Sequence, residues 1–432
     1  MPSARAAALL LAAAVARAST PIAFVKLHRV GGTTLQNLLV RHAVNRNRTV
    51  LCTHLVASFN PRSLTELDVK ARGGEPPSNT GAWPLDIWLH HVAFIRELER
   101  AVPLAKARIL TVVRAPERRF ESAWAVFTSR AVVQGRAEGW GMGVYGLTPG
   151  DYCGNVSSDP QLLALERVRR STHVSLDGMT RALVGLTHQD RREPKPKRLE
   201  ELVESVREGS VFAVVNERYD ESLLWLARDY GFDGGDIVHG VYQRRVKQDS
   251  WKVVGDTRHR SKDRDVLPSS LDDDAAACLR ATQPNDVALV RAANDALDAR
   301  GTDARHLEVF AAAKRAATAA CRKDPQADPQ CSLLERAVAA LNQKVPLPRH
   351  HQEAFSGKLC PSPKRPRGAV APDDSYAPAF RDGAARAAVA DLDAALAAAP
   401  GRDVSASARV ARWLSEVRAE KRARGRRPRP AD

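Results

Sequence analysis

The 432 residues contain no Cys-x2–4-Cys pair with a nearby His-x3–5-His pair, so no zinc-finger spacing is present. There is no Gly-x4-Gly-Lys-Ser/Thr loop: no Lys follows Gly32 in the one glycine pair that ends an apolar strand. The same stretch, Gly31-Gly32-Thr33-Thr34-Leu35-Gln36, lacks the third glycine of the dinucleotide fingerprint. RNA-recognition signatures and clear internal repeats are missing too. After Ala16 there is no long apolar run. These absences turn attention to a few short motifs.

Charge narrows the partners. Lys and Arg number 66 against 50 Asp and Glu, a net charge of +16. That sign suits polyanionic small molecules and membrane-associated acceptors; nucleic acid would suit it as well, but no signature supports that partner. Part of the excess lies at the end of the chain. Residues 417–432 carry seven basic and two acidic residues in an Arg/Pro-rich tail that reads as disordered. Hydrophobic residues make up 44% of the chain, ample for a core.

The most informative segment runs from Pro21 to Val40. An apolar strand enters Gly31-Gly32, and a helix opens with Thr33 and Thr34. Leu35, Leu38, Leu39 and His42 then fall on one helix face. A strand, a glycine turn and a helix N-terminus form an anion cradle, because first-turn N–H groups and the helix dipole both favour negative charge. Lys26, His28 and Arg29 add donors at its mouth. A second segment, Arg108 to Trp124, is another apolar strand ending in a charged turn. Pro116 suits a first helical position, and Phe120, Ala123, Trp124 and Phe127 make an apolar stripe with Ser122 off it. Arg114 stands at the strand end, where it reaches toward a bound phosphate. A third unit, Val211 to Leu226, reads as strand, turn and helix, with Asp220 as N-cap and Leu223, Leu226, Ala227 and Tyr230 facing inward. Alternating strands and helices argue for a parallel α/β sheet flanked by helices.

Together these segments resemble the Golgi-type carbohydrate sulfotransferases that use 3′-phosphoadenosine-5′-phosphosulfate (PAPS), closest to the galactose-3-O-sulfotransferase family, galactosylceramide sulfotransferase included. That family's loop reads Phe-x-Lys-x-His-Lys-Thr-small-small-Ser/Thr-Thr-Leu-x-Asn. Phe24, Lys26, His28, Gly31, Gly32, Thr33, Thr34, Leu35 and Asn37 match it. Arg29 and Val30 stand where the family has Lys-Thr, and that Lys normally contacts the sulfate being transferred. The stretch Arg114 to Ala123 resembles the family's 3′-phosphate motif, in which the first Arg and the Ser bind the nucleotide. Glu217-Arg-Tyr-Asp-Glu-Ser-Leu223 resembles a third signature, and Asn285 to Asn294 a late helix. The resemblance spans roughly residues 20 to 300. It implies the P-loop-like sulfotransferase fold, PAPS as co-substrate without a metal, and a galactolipid or galactoside acceptor, with no nucleic-acid partner. The implied cofactor contacts are Lys26, Arg29, Gly31, Gly32, Thr33, Thr34, Arg114 and Ser122.

Sulfuryl transfer to a sugar hydroxyl needs a base, usually His. Asp86 to Leu89 reads as a short strand carrying His90 and His91 to its end. Alternation sends neighbours to opposite faces, so one of the pair reaches the site. His91 is the expected base by its likeness in context to the related enzymes; His28, within the loop, is the rival. Arg29 and Lys26 supply cations for the transferred group.

The remaining organisation is coarser. Residues 1–18 resemble a secretory signal peptide or short signal anchor, with a transit peptide as the alternative. The sulfotransferase-like region covers 20–300, with a Gly-rich stretch Gly135–Gly150 bordering the acceptor cleft. An Ala-rich helical extension follows over 301–345, a Pro-rich linker over 346–377, and helical segments with the basic tail over 378–432, including helices at Ala384–Ala399 and Ser405–Ala419. Six cysteines suit disulfides in an oxidising lumen, without indicating which pair. Asn47-Arg48-Thr49 and Asn155-Val156-Ser157 are glycosylation sequons. The expected setting is the secretory pathway, at the Golgi membrane or lumen. Two other function classes stay open: a P-loop-like nucleotide phosphotransferase, and a binding protein descended from the enzyme, for which Arg29 in place of Lys is the motive.

Overall fold

The computed structural model describes residues 21–46, 87–90, 107–133, 149–167, 176–186, 193–239, 271–323 and 380–398. Its centre is a four-stranded sheet of β1 (Ile22–Val25), β2 (Ile87–His90), β3 (Arg108–Val113) and β4 (Val211–Val215). The order is β2-β1-β3-β4, and every neighbouring pair is parallel. A parallel sheet is covered on both faces, so its strands read as apolar runs rather than alternating ones. Accordingly β1, β3 and β4 are buried along their whole length. Within β3, Thr111 meets its polar need by donating to the Val25 carbonyl at 3.0 Å. Arg108 donates to the Asp229 carbonyl and lies over the Tyr230 ring.

Helices α1 (Gly32–Asn45) and α2 (Pro116–Val133) follow β1 and β3. Leu35, Leu38, Leu39 and His42 of α1 are all buried, the face expected from their spacing. The helix opens at Gly32, one residue before Thr33. On α2, Phe120, Ala123 and Trp124 are buried; the side chain of Phe127 lies outside the described residues. Helices α3 (Pro149–Ser158), α4 (Pro160–Arg167) and α5 (Gly178–Leu183) come next, then α6 (Pro196–Arg207) before β4. A 3-10 turn, Asn216–Arg218, leads from β4 into α7 (Tyr219–Tyr230). Arg218 is therefore the N-cap and Asp220 sits inside the first turn, because Tyr219 is already helical. Leu223, Leu226, Ala227 and Tyr230 are buried as expected, and so are Leu224 and Trp225: this helix is covered almost all round.

Short α8 (Gly234–Ile237) anchors the far half of α1. His42 shares a 2.6 Å contact with Asp236 and stacks on Phe232, while the buried Arg41 guanidinium donates to the Asp236 and Val238 carbonyls. Helices α9 (Asp273–Ala281), α10 (Pro284–Asp298), α11 (Ala304–Lys323) and α12 (Gly383–Ala398) complete the described chain. The two last lie within the ranges 301–345 and 378–432. Phe380, Ala385 and Leu392 join the same core as the sheet strands. Asp393 of α12 accepts from the Gly234 amide at the start of α8. Segments 1–20, 47–86, 91–106, 134–148, 168–175, 187–192, 240–270, 324–379 and 399–432 lie outside the described residues. With them go the signal peptide, the first sequon, most of the Gly-rich stretch, the Pro-rich linker, the Ser405–Ala419 helix and the tail.

A buried polar knot holds α2 against α5 and α10. The Asp286 carboxylate accepts from the Met179 and Thr180 amides and from the Thr180 hydroxyl. It also faces the guanidinium of Arg119, whose Nε is 3.8 Å from it and which is fully buried. Asp177, in the left-handed region at φ 49°, accepts from Asn285 and from the Asp286 amide. Cys153 on α3 and Cys278 on α9 form a disulfide, with Cα atoms 6.1 Å apart. Removing one side of a buried charged pair leaves the rest uncompensated, at about 3–5 kcal/mol. Asp286→Ala is expected to destabilise the protein by about that much in urea unfolding. An unchanged unfolding midpoint would show that the knot contributes little.

Candidate functional site

In β1→β2 the chain moves to one side of β1, and β3 then returns on the other. The C-terminal ends of β1 and β3 therefore flank the switch point of the sheet, where α/β proteins bind ligands in the crevice beyond their strand ends. Residues 26–34 leave β1 at this edge, and Arg114 leaves β3 beside them. Both motifs singled out from the sequence thus meet at one place.

The loop is tightly held. Arg29 has φ 64° and Gly31 φ 88°. Only glycine takes the second value without strain, and a Cβ on Gly31 would lie 2.3 Å from Nδ2 of Asn216. That Asn216 amide donates to the Val30 carbonyl at 2.9 Å, so the end of β4 braces the loop. The Thr34 amide donates to the Gly31 carbonyl at 3.1 Å, and the N-terminus of the 14-residue α1 faces the crevice. Beneath it Lys26 is buried and donates to Oε1 of Gln36 at 2.6 Å. Burial lowers the Lys26 ammonium to about 8. The Tyr219 hydroxyl is buried beside Thr34 and Leu35, and burial pushes its phenol well above the ordinary range. His28, Thr33 and Thr34 are half-buried at the loop rim.

Across the crevice, Arg29 turns toward α2. Its Nε and Nη2 donate to Oγ of Ser122 at 3.2 and 3.0 Å, and Nε also to the Ser122 carbonyl at 3.1 Å. Nη1 of Arg114 donates to the Arg29 carbonyl at 3.3 Å. Glu217 approaches Nε of Arg114 at 3.9 Å and accepts from the Ala115 amide at 3.2 Å. Burial lowers both guanidinium groups, with the Arg114 charge adding to the effect on Arg29.

Asn216 carries no recognisable motif, and Glu217 opens the third signature without a catalytic role assigned to it from sequence. Their bracing contacts appear only once β4 lies beside β3. Asp220 is likewise drawn into a cluster rather than a cap. Burial would raise its carboxyl, but hydrogen bonds from His239 and Lys314 outweigh that and bring it down to about 2. β2 ends at His90, opposite Val25 in register, so its C-terminal end lies at the same edge. The His90 side chain and the whole of His91 lie outside the described residues. No cluster of three or more His, Cys, Asp or Glu residues suited to a metal is found among the described residues. Nor is any helix among them long and apolar enough to cross a membrane.

Fold and site define a parallel α/β protein with a strand–glycine–helix loop at its switch point. Among curated proteins, galactose-3-O-sulfotransferase 3 of Homo sapiens is 26% identical over 229 residues, 52% of this chain and 48% of that protein. The proteins of the same name from Mus musculus and Bos taurus are 26% and 25% identical over the same length. The chain spans about half the length of these curated relatives. The chain is thus distantly similar to galactose-3-O-sulfotransferases. No protein-family model matches the chain, and no solved structure matches it.

The Gly31 geometry makes the loop testable apart from any reaction. Gly31→Ala places a methyl where Asn216 sits, at a left-handed backbone position. The expected result is a loss of phosphate-ligand binding of tenfold or more by calorimetry, on the order of 1.4 kcal/mol, with the protein still folded. Unchanged binding would show that the loop does not hold the anion.

Proposed function

We propose that the protein transfers a sulfuryl group from PAPS to a hydroxyl of a galactose-containing glycan or glycolipid. The observation that carries this reading is the meeting of two cationic centres at one switch point, the α1 N-terminus with Lys26 and the Arg114–Ser122 corner. The names of the distant relatives add the reaction class and the galactose acceptor. In this reading Gly31, Gly32, Thr33 and Thr34 present α1 N–H groups to the 5′-phosphosulfate. Lys26 offsets the charge that grows on the departing phosphate oxygen. His91 takes the proton of the acceptor hydroxyl as its oxygen bonds to sulfur and the sulfur–oxygen bond to the nucleotide breaks. PAP (3′,5′-bisphosphoadenosine) leaves. His28, at the loop rim, orients the phosphosulfate and is the rival base. The setting proposed is the secretory pathway, at the Golgi lumen or membrane; the Cys153–Cys278 disulfide suits an oxidising compartment.

A binding-only relative is the second reading, favoured by the Arg29 guanidinium being engaged with Ser122. Turnover of sulfate-labelled PAPS with galactosides and galactolipids separates the two. Sulfated product supports the enzyme, whereas PAP binding without product supports the binding protein. If His91 is the base, His91→Ala lowers turnover roughly 10²–10⁴-fold with PAP affinity nearly unchanged. Near-normal turnover in that variant, beside a His28→Ala variant that binds PAP but does no chemistry, transfers the role to His28.

Lys26 gives a pH signature. Its ammonium, lowered to about 8 by burial, must be charged to hold an anion. PAP affinity is expected to fall about tenfold between pH 7 and 9, with proton uptake on binding near pH 8. Lys26→Arg, which stays charged there, is expected to flatten that fall. The folded protein runs the other way. A Lys lowered on folding holds fewer protons than the unfolded chain above pH 8, so its effect on stability grows more favourable as pH rises toward 10.5. Calorimetry in buffers of different ionisation enthalpy reads the uptake; none near pH 8 would remove Lys26 from the site.

A further inference from the structure

We propose that Arg29 is a binding residue for the second phosphate of the nucleotide, the 3′-phosphate, and not for the transferred sulfuryl group. The inference rests on the nucleotide reading above and adds a role that the loop pattern does not suggest. By sequence, Arg29 stands where the related enzymes carry the Lys that meets the sulfate. The structure turns it elsewhere.

Three observations carry the proposal. The first is direction. Arg29 takes a left-handed backbone conformation, φ 64°, that disfavours a non-glycine residue. From there its guanidinium reaches α2 and is spent on Ser122, through Nε and Nη2 on the hydroxyl and Nε on the carbonyl. Ser122 is 93 residues away in the chain, so this contact is a product of the fold. The second is charge. Arg114 donates to the Arg29 carbonyl, which brings two guanidinium groups to one corner. The carboxylate of Glu217 stands 3.9 Å from Arg114, with Glu121 adding a weaker pull on the same Arg114. Arg29 receives no carboxylate contact among the described residues. Burial and the neighbouring Arg114 both disfavour its charged form. Two partly buried cations at one corner, one of them bound to a hydroxyl and without a carboxylate contact among the described residues, suit an anion.

The third is separation of roles. Lys26 and the α1 N-terminus form one cationic centre, and the Arg29–Arg114–Ser122 corner forms another on the α2 side. A ligand with two anionic groups on one nucleoside satisfies both, whereas a nucleoside monophosphate satisfies one. Arg is suited to the second centre, since its planar fork grips phosphate oxygens in pairs. When such an anion arrives, the Ser122 hydroxyl passes from accepting the guanidinium to donating to phosphate, and the guanidinium keeps its place. Lys26 is then the protein cation left beside the reacting group among the described residues.

The experiment compares PAP with adenosine 5′-monophosphate (AMP), which lacks the 3′-phosphate, by calorimetry at pH 7. Arg29→Asn is the informative truncation, because Asn tolerates the left-handed backbone and is too short to reach Ser122. The expected result is a loss of PAP affinity of about 10–100-fold with AMP affinity unchanged. Ser122→Ala is expected to reduce the same PAP-over-AMP preference, and the double variant to lose less than the two losses combined. Arg29→Lys is expected to recover part of the preference. Equal losses for PAP and AMP would put Arg29 at the 5′-phosphate and overturn the proposal. So would unchanged affinities with a drop in sulfuryl transfer, which would place it on the sulfuryl group. Unchanged affinities with a lower unfolding midpoint would reduce the Arg29–Ser122 contact to a structural tie. A parent protein that binds neither PAP nor AMP would instead refute the nucleotide reading itself.

Discussion

The parallel ladder between β1 and β3 is the contact on which the rest of the molecule depends. Ile22 pairs with Arg108 and Val25 with Thr111, so both strands run toward the same edge, with β3 continuing on to Val113. The loop after β1 and the turn after β3 must therefore emerge side by side. Strands buried on both faces allow no slip, because a one-residue shift would reverse every side chain between the two helical layers. Thr111 fixes the register further through its bond to the Val25 carbonyl. β4 then pairs with β3 up to Val215, and its next two residues, Asn216 and Glu217, arrive where both loops need support.

The edge so formed gathers positive charge at some cost. Lys26, Arg29 and Arg114 are all partly or wholly removed from water, and burial lowers each of them. Some buried cations elsewhere face carboxylates directly. Arg119 faces Asp286 and Asp177, and Arg300 meets Asp229 at 3.3 Å. Lys314 is paired with Asp220. These ion pairs hold helices together.

Around that edge the packing is layered. α7 is covered almost all round, by β4 on one side and by α11 and α12 on others. α1 is fixed at its far half by Asp236, Phe232 and the Arg41 contacts. These buried polar contacts keep the direction of α1 fixed. The helix from Gly383 to Ala398 adds Leu392 and Asp393 against α8, which itself anchors α1. The late part of the chain thus supports the loop from a distance.

The sequence by itself determined the main strands and helices. Apolar runs with no alternation read as buried parallel strands, and Leu35, Leu38 and Leu39 read as the inner face of α1, because periodicity is a local property. The Gly31-Gly32 turn and the Arg114 to Ser122 pattern were legible for the same reason: each motif lies within a few residues. The helix at Gly383–Ala398 was legible from its Ala-rich composition, though not its place against α8. Asp220 read as a cap, since local rules favour an acidic residue there, and the tertiary fold gave its carboxylate to Lys314 and His239 instead. Which cysteines pair, where Arg29 points, and what Asn216 braces were decided only by tertiary structure. Each of these depends on groups far apart in the chain meeting at one sheet edge, and no local pattern encodes a distance between strands.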